Sequence, residues 1–188
     1  MPHPIRTLLI GGTGMLGRPV ARRLAREGFV VRALVRDRDR ARPRLPAECE
    51  LAAGDVLDEA SLAEAMAGVN AVYVNLAAPR NPKRRDIERE GVPRIIAAAR
   101  AAGVKHLLKI SFMGVPAASA LWWQIRHKAE SEQAIIHSGI DHTILRPTWF
   151  MESLALFRVG RRLVLPRMPP TRSGGSRATT SPGRSPPR

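Results

Sequence analysis

The sequence predicts an α/β fold in which a doubly wound, mostly parallel sheet is covered by helices on both faces. Three observations carry that expectation. Short apolar, β-branched runs alternate with longer segments rich in alanine and arginine. A glycine cluster stands where the first apolar run meets the first helical segment. In "GVKHLLKIS" and "SGIDHTILRP" a glycine closes a helical segment just before the next apolar run. Strands separated by helices need crossover connections, and crossovers produce parallel sheets buried on both faces.

Taken in order, the apolar runs place strands at 5–10, 30–35, 50–53, 71–75, 106–111 and 141–146. The segments between them place helices at 15–27, 62–66, 85–102 and 122–137. A chain of 188 residues suits one domain with a sizeable core. Composition changes sharply near Met168: residues 168–188 hold five Pro, four Ser and four Arg, and no Val, Ile, Leu or aromatic residue. Such a stretch cannot bury enough apolar surface to offset its ordering entropy, so a disordered tail is expected there, after a short extension over 158–167.

The chain carries 31 Lys and Arg against 16 Asp and Glu, a net charge of +15. Eight of those positive charges are arginines in 158–188, which has no acid, leaving +7 for residues 1–157. The tail lacks the aromatic side chains on which bases stack, so no specific nucleic-acid partner is expected. Cys49 is the only cysteine, which fits a reducing compartment. No apolar run approaches a membrane span and the N-terminus lacks a secretory pattern, so a cytoplasmic protein with no membrane partner is expected. The five histidines show no metal-ligand spacing.

The glycine cluster, "LLIGGTGMLGRPVARRLAREG", carries the first functional reading. Gly12, Gly14 and Gly17 satisfy G-x-G-x-x-G, and Gly11, Gly14 and Gly17 satisfy G-x-x-G-x-x-G. The early glycines permit a tight turn, Gly14 lets the backbone approach a pyrophosphate, and Gly17 lets the helix pack closely on the strand. Free N–H groups and the positive end of the helix dipole then face the phosphates. The end of the second strand, "VVRALVRD", selects the cofactor. Arg36 offers paired donors to a 2′-phosphate, with Arg38, Arg40 and Arg42 close behind, which favours NADP(H). Asp37, an acid suited to a ribose hydroxyl, keeps NAD(H) open.

With these motifs in place, the sequence resembles the NmrA-like branch of the atypical short-chain dehydrogenase/reductases. The landmarks are "GGTGMLGRPVARRLAREGFVVRALVRD", "GDVLDEASLAEAMAGVNAVY", "EREGVPRIIAAARAAGVKHLLKIS" and "KAESEQAIIHSGIDHTILRPTWFMESL". The resemblance covers 5–156 and implies a Rossmann sheet in the order 3-2-1-4-5-6, with the NAD(P)-binding domain over 1–157. It implies that Thr13, Met15 and Leu16 surround the pyrophosphate and that Asp55 contacts the adenine. Asn75, Leu76 and Ala77 would lie beside the nicotinamide ribose, with Phe150 of "RPTWF" approaching the nicotinamide. Asp55 has a simpler alternative as the cap of the following turn, and Trp149 and Phe150 as core.

The catalytic pattern departs from the family. Counting back from "SGI" puts Lys128 at the position of the family's lysine and Gln124 at that of its tyrosine. Gln cannot act as an acid, so the tyrosine proton relay is absent. Phe112 stands where the carbonyl-polarising serine belongs; Ser111 itself could serve, but at the strand end it is expected to bond backbone. His127, beside Lys128, is the replacement acid in this pattern, with a surface histidine as the plain alternative. Tyr73 reads as core.

Family members continue well past the sixth strand, whereas this sequence runs 41 residues beyond Pro147. The substrate subdomain is therefore expected to be largely missing, through truncation or a frameshift. Three readings follow: an NADP(H)-dependent oxidoreductase passing hydride to a small electrophile such as a quinone or carbonyl, a non-catalytic NADP(H)-sensing regulator, or a truncated or frameshifted family member that keeps cofactor binding only.

Overall fold

The computed structural model describes residues 4–76, 86–113, 115, 123–148, 150, 158–159 and 162–163. Six parallel strands, β1 Arg6–Ile10, β2 Val30–Val35, β3 Glu50–Ala53, β4 Ala71–Val74, β5 His106–Ile110 and β6 Asp141–Leu145, form one sheet in the order β3-β2-β1-β4-β5-β6. The helices are α1 Gly17–Arg26, α2 Arg38–Ala41, α3 Glu59–Met66, α4 Ile87–Ala101 and α5 Trp123–Ile136, with a 3-10 turn at Arg42–Arg44. The strand order matches the expectation, and the observed strands agree with the expected ones to within one residue at each end.

Each face of the sheet has its own core, because the parallel strands alternate apolar side chains to both sides. On one face Leu8, Ile10, Val72, Val74 and Leu107 pack against Leu62 and Met66 of α3, Ile95 of α4 and Ile135 of α5. On the other, Leu9, Val31, Ala33, Val35 and Tyr73 pack with Ala21 of α1, Ala41 of α2 and Cys49. The order reverses between β1 and β4, and this opens a crevice at the carboxyl ends of the strands.

Three details differ from the expectation. Helix α3 begins at Glu59 rather than at 62, because Asp58 caps it by accepting from the Ala60 N–H. Helix α1 begins at Gly17, two residues late, because residues 11–16 form the glycine turn. The arginine run after β2 folds into α2 and the 3-10 turn, started by the Asp37 side chain, which accepts from the Arg40 N–H at 3.0 Å. Residues Met1–Ser153 group as one compact unit and Leu154–Arg188 as another, the latter containing the short antiparallel pair β7 Arg158–Val159 and β8 Arg162–Leu163. The expected tail at 168–188 lies outside the described residues.

Candidate functional site

The crevice holds a cavity of about 500 Å³ at the carboxyl ends of β1 to β4. Ile10, Gly11 and Thr13 line it from the end of β1 and the turn beyond, and Leu34 to Asp37 from β2. Gly54, Asp55 and Val56 follow β3, and Asn75 and Leu76 follow β4. Ile87, the first residue of α4, completes this wall. Eight of the residues singled out in the sequence therefore meet in one place: Gly11, Thr13, Arg36, Asp37, Arg40, Asp55, Asn75 and Leu76.

The glycine turn suits a dinucleotide in a way that its geometry makes explicit. Gly11 has φ of +86°, and a Cβ there would stand 2.1 Å from the Asn75 carbonyl oxygen. A Cβ on Gly17 would stand 2.2 Å from the Gly11 oxygen and 2.7 Å from Gly12 Cα. Gly17 thus admits the turn itself against the start of α1, rather than the strand as expected. Gly14 is exposed, and a Cβ on it would meet only the Gly11 oxygen, at 3.2 Å. Gly14 thus leaves the surface uncovered at the amino end of α1, its own N–H donating to the Gly11 carbonyl at 3.1 Å. Gly12 is buried against Leu9 and Ala33, and Met15 and Leu16 are half-buried; none of the three lines the cavity.

At the β2 end, Arg36, Arg40 and Arg44 all line the cavity. They stand four residues apart, one before α2, one within it and one in the 3-10 turn that follows. Arg42 turns away and donates to the carbonyls of Pro46, Ala47 and Cys49 at 3.0–3.1 Å. Sequence reasoning named Arg38, Arg40 and Arg42 as supporting charges; Arg40 lines the cavity, Arg38 and Arg42 do not, and Arg44 was missed. The signal was the four-residue spacing in "RDRDRARPR". Asp37 also faces the cavity, although one of its oxygens is occupied in capping α2. Asp55 lines the cavity, and its carboxylate accepts from the Leu57 N–H at 2.9 Å, which is the turn cap of the simpler reading.

Beside the other end of the cavity lies a buried polar network. Lys128 Nζ donates to the carbonyl of Leu76 and to Glu88 Oε2, each at 3.3 Å. Glu88 also accepts from Ser131 Oγ at 2.7 Å and pairs with Lys109, and both Glu88 and Lys109 are fully buried. Burial pulls the Lys109 ammonium below its ordinary range, with Glu88 opposing the shift and Lys128 adding to it. His127 Nδ1 bonds Asp86 Oδ2. Ser111 differs from the expectation: its Oγ is buried and has no hydrogen-bond partner among the described residues. Tyr73 is core, and burial pushes its hydroxyl up to about 12 against the opposing pull of Asn75. Phe150 is half-buried and does not line the cavity. Ala77 and Trp149 lie outside the described residues, as does the Gln124 side chain.

A model of a family described as NAD(P)H-binding matches residues 11–179. The chain belongs to this NAD(P)H-binding family. Among curated relatives, the chain is 39% identical over 155 residues to the (4-alkanoyl-5-oxo-2,5-dihydrofuran-3-yl)methyl phosphate reductase of Streptomyces griseus, covering 82% of this chain and 51% of that protein. It is 33% identical over 151 residues to the NAD(P)H azoreductase of Xenophilus azovorans, covering 80% of this chain and 50% of that one. Among solved structures, an NADPH-dependent quinone oxidoreductase from Escherichia coli complexed with NADPH superposes with a TM-score of 0.67 at 26% identity, over 80% of this chain and 51% of that chain. The chain spans about half the length of the curated relatives it matches. Among the described residues, no helix is long and apolar enough to cross a membrane, and no group of three or more His, Cys, Asp or Glu could hold a metal ion.

Proposed function

We propose that this member of the NAD(P)H-binding family binds NADPH in preference to NADH and passes hydride to a small electrophile such as a quinone or carbonyl. The observation that carries the reading is the arginine trio on the cavity wall. Arg36, Arg40 and Arg44 concentrate positive charge where the second strand ends, the place at which the two cofactors differ by a 2′-phosphate. The names of the relatives support it: one is an NAD(P)H azoreductase and another an NADPH-dependent quinone oxidoreductase. In this reading the cofactor domain runs over 1–157. The pyrophosphate lies on Gly11 to Gly17, the adenine near Asp55, and the nicotinamide ribose beside Asn75 to Ala77. Lys128 steadies the Leu76 carbonyl at that end.

The nicotinamide, when bound, supplies the hydride. The chain's own residues hold the dinucleotide extended across the ends of the strands and keep its reactive end beside the network of Lys128 and Glu88. With Gln124 in the tyrosine position, oxidation of simple alcohols by NADP⁺ is not expected. The same residue favours a second reading, an NADP(H)-sensing regulator without turnover. Loss of the dihydronicotinamide absorbance with a panel of quinones and aldehydes separates the two. Turnover with NADPH supports the reductase, and tight NADPH binding with no turnover supports the regulator.

A further inference from the structure

The pairing of Asp86 with His127 is built more firmly than a surface contact requires. Asp86 caps α4: its Oδ1 accepts from the N–H groups of Glu88 at 2.9 Å and Arg89 at 3.2 Å, and its own N–H donates to Glu90 Oε1 at 3.2 Å. The carboxylate is thereby locked in rotation, and its second oxygen, Oδ2, is aimed at His127 Nδ1. The side chains are only 16% and 10% exposed for His127 and Asp86, respectively. Trp123, one turn earlier on α5, meets the imidazole edge-on with centroids 5.6 Å apart. The ring is held from two sides. Its Nε2 has no hydrogen-bond partner among the described residues.

The location gives that nitrogen a use. Asp86 immediately precedes Ile87, which lines the cavity, and Lys128, the next residue after His127, bonds the Leu76 carbonyl on the same wall. Position 127 is three residues after Gln124, so both start from one face of α5, close to where the absent tyrosine would project. We propose that Asp86 and His127 form a proton-donating dyad, with His127 Nε2 as the general acid and Asp86 as the positioning residue. The proposal rests on the reductase reading above.

The step balances without a further reagent. Hydride from the reduced nicotinamide adds at one end of the substrate's C=O system, whose π electrons collect on an oxygen. That oxygen takes the Nε2 proton of the His127 imidazolium, forming an O–H bond as the N–H bond breaks. Asp86 keeps the remaining proton on Nδ1 and faces the positive ring before transfer, and bulk water returns the proton to Nε2 afterwards. The nicotinamide is left oxidised.

Two measurements on the full chain test the dyad. Nitrogen-15 NMR of the imidazoles reads the neutral tautomer without any cofactor: wild-type His127 should carry its proton on Nδ1, and Asp86→Asn should release that preference. Asn preserves the helix cap, so thermal stability should hold while the tautomer changes. Steady-state reduction of menadione by NADPH reads the chemistry. His127→Gln should lower kcat about 10²-fold, the lower end of a general acid's contribution, with the NADPH dissociation constant unchanged. Asp86→Asn should lower kcat in the same direction. An Nε2–H tautomer in the wild type overturns the dyad alone, and an undiminished kcat in His127→Gln overturns proton donation. A wild-type protein that binds NADPH but turns over no menadione overturns the reductase reading and proton donation together.

Discussion

Replacing Glu88 by Met should be among the most damaging single changes in the described part of the chain. Glu88 is fully buried and faces two ammonium groups and a hydroxyl: Lys109, itself fully buried, Lys128 and Ser131. Removing the carboxylate leaves Lys109 without its partner in an interior that water does not reach. Breaking a buried pair from one side costs about 3–5 kcal/mol, because the orphaned charge keeps its desolvation penalty. For a chain of this size each kcal/mol shifts the melting midpoint by about 2–4 °C, so the loss corresponds to about 6–20 °C. Lys109→Met should cost less, because Glu88 keeps Lys128 and Ser131. The double variant Glu88→Met with Lys109→Met should recover much of the loss, since no fully buried charge is then left unpaired. Urea unfolding of the four proteins, compared at constant m, gives the coupling energy directly. Strictly additive losses, or a Glu88→Met protein within about 0.5 kcal/mol of wild type, would refute the buried pairing.

Two further outcomes follow from other parts of the structure. Glu132 is buried, which pushes its carboxyl up, but Arg146, bonded to it at 2.7–3.1 Å, outweighs burial and holds the carboxyl below its ordinary 4.5. The folded state therefore binds fewer protons than the unfolded one in acid, so this stabilisation is complete above about pH 4.5 and is lost as pH falls through the lowered value. Arg146→Gln should flatten that acid dependence in urea titrations; an unchanged slope would contradict the assignment. Gly17→Ala forces a Cβ to 2.2 Å from the Gly11 oxygen, which should cost about 1–3 kcal/mol and weaken NADPH binding. Full stability and affinity in this variant would show that the turn relaxes freely.

The sheet was legible because its signals are local. Strands such as 30–35 and 50–53 are short apolar runs bounded by turn residues, and the glycine turn announces itself by a composition that only a strained corner tolerates. Strand order came from the resemblance and not from the apolar pattern, which is indifferent to which strand neighbours which. Two of the arginine trio were visible, Arg36 at the strand end and Arg40 close behind it, whereas Arg44 reaches the cavity only through the 3-10 turn that follows α2, and so went unnoticed. The buried network was invisible for a different reason. Glu88, Lys109 and Lys128 sit on α4, β5 and α5, about twenty residues apart in turn, and only tertiary packing brings them together. A lysine inside the apolar strand HLLKI was the one available hint.

The central claim is that the arginine-lined end of the cavity selects NADPH. Fluorescence or calorimetric titration of NADPH and NADH against the wild-type chain and Arg36→Ala tests it most directly. A charged hydrogen bond to the 2′-phosphate contributes about 1.5–3 kcal/mol, roughly ten- to a hundredfold in affinity. The wild type should therefore bind NADPH more tightly than NADH by about that factor, and added salt should narrow the gap. Arg36→Ala should weaken NADPH while leaving NADH nearly untouched, and Arg40→Ala should do the same to a smaller degree. Equal affinities in the wild type, or equal losses for both cofactors in Arg36→Ala, would contradict the account and hand the choice of cofactor to Asp37.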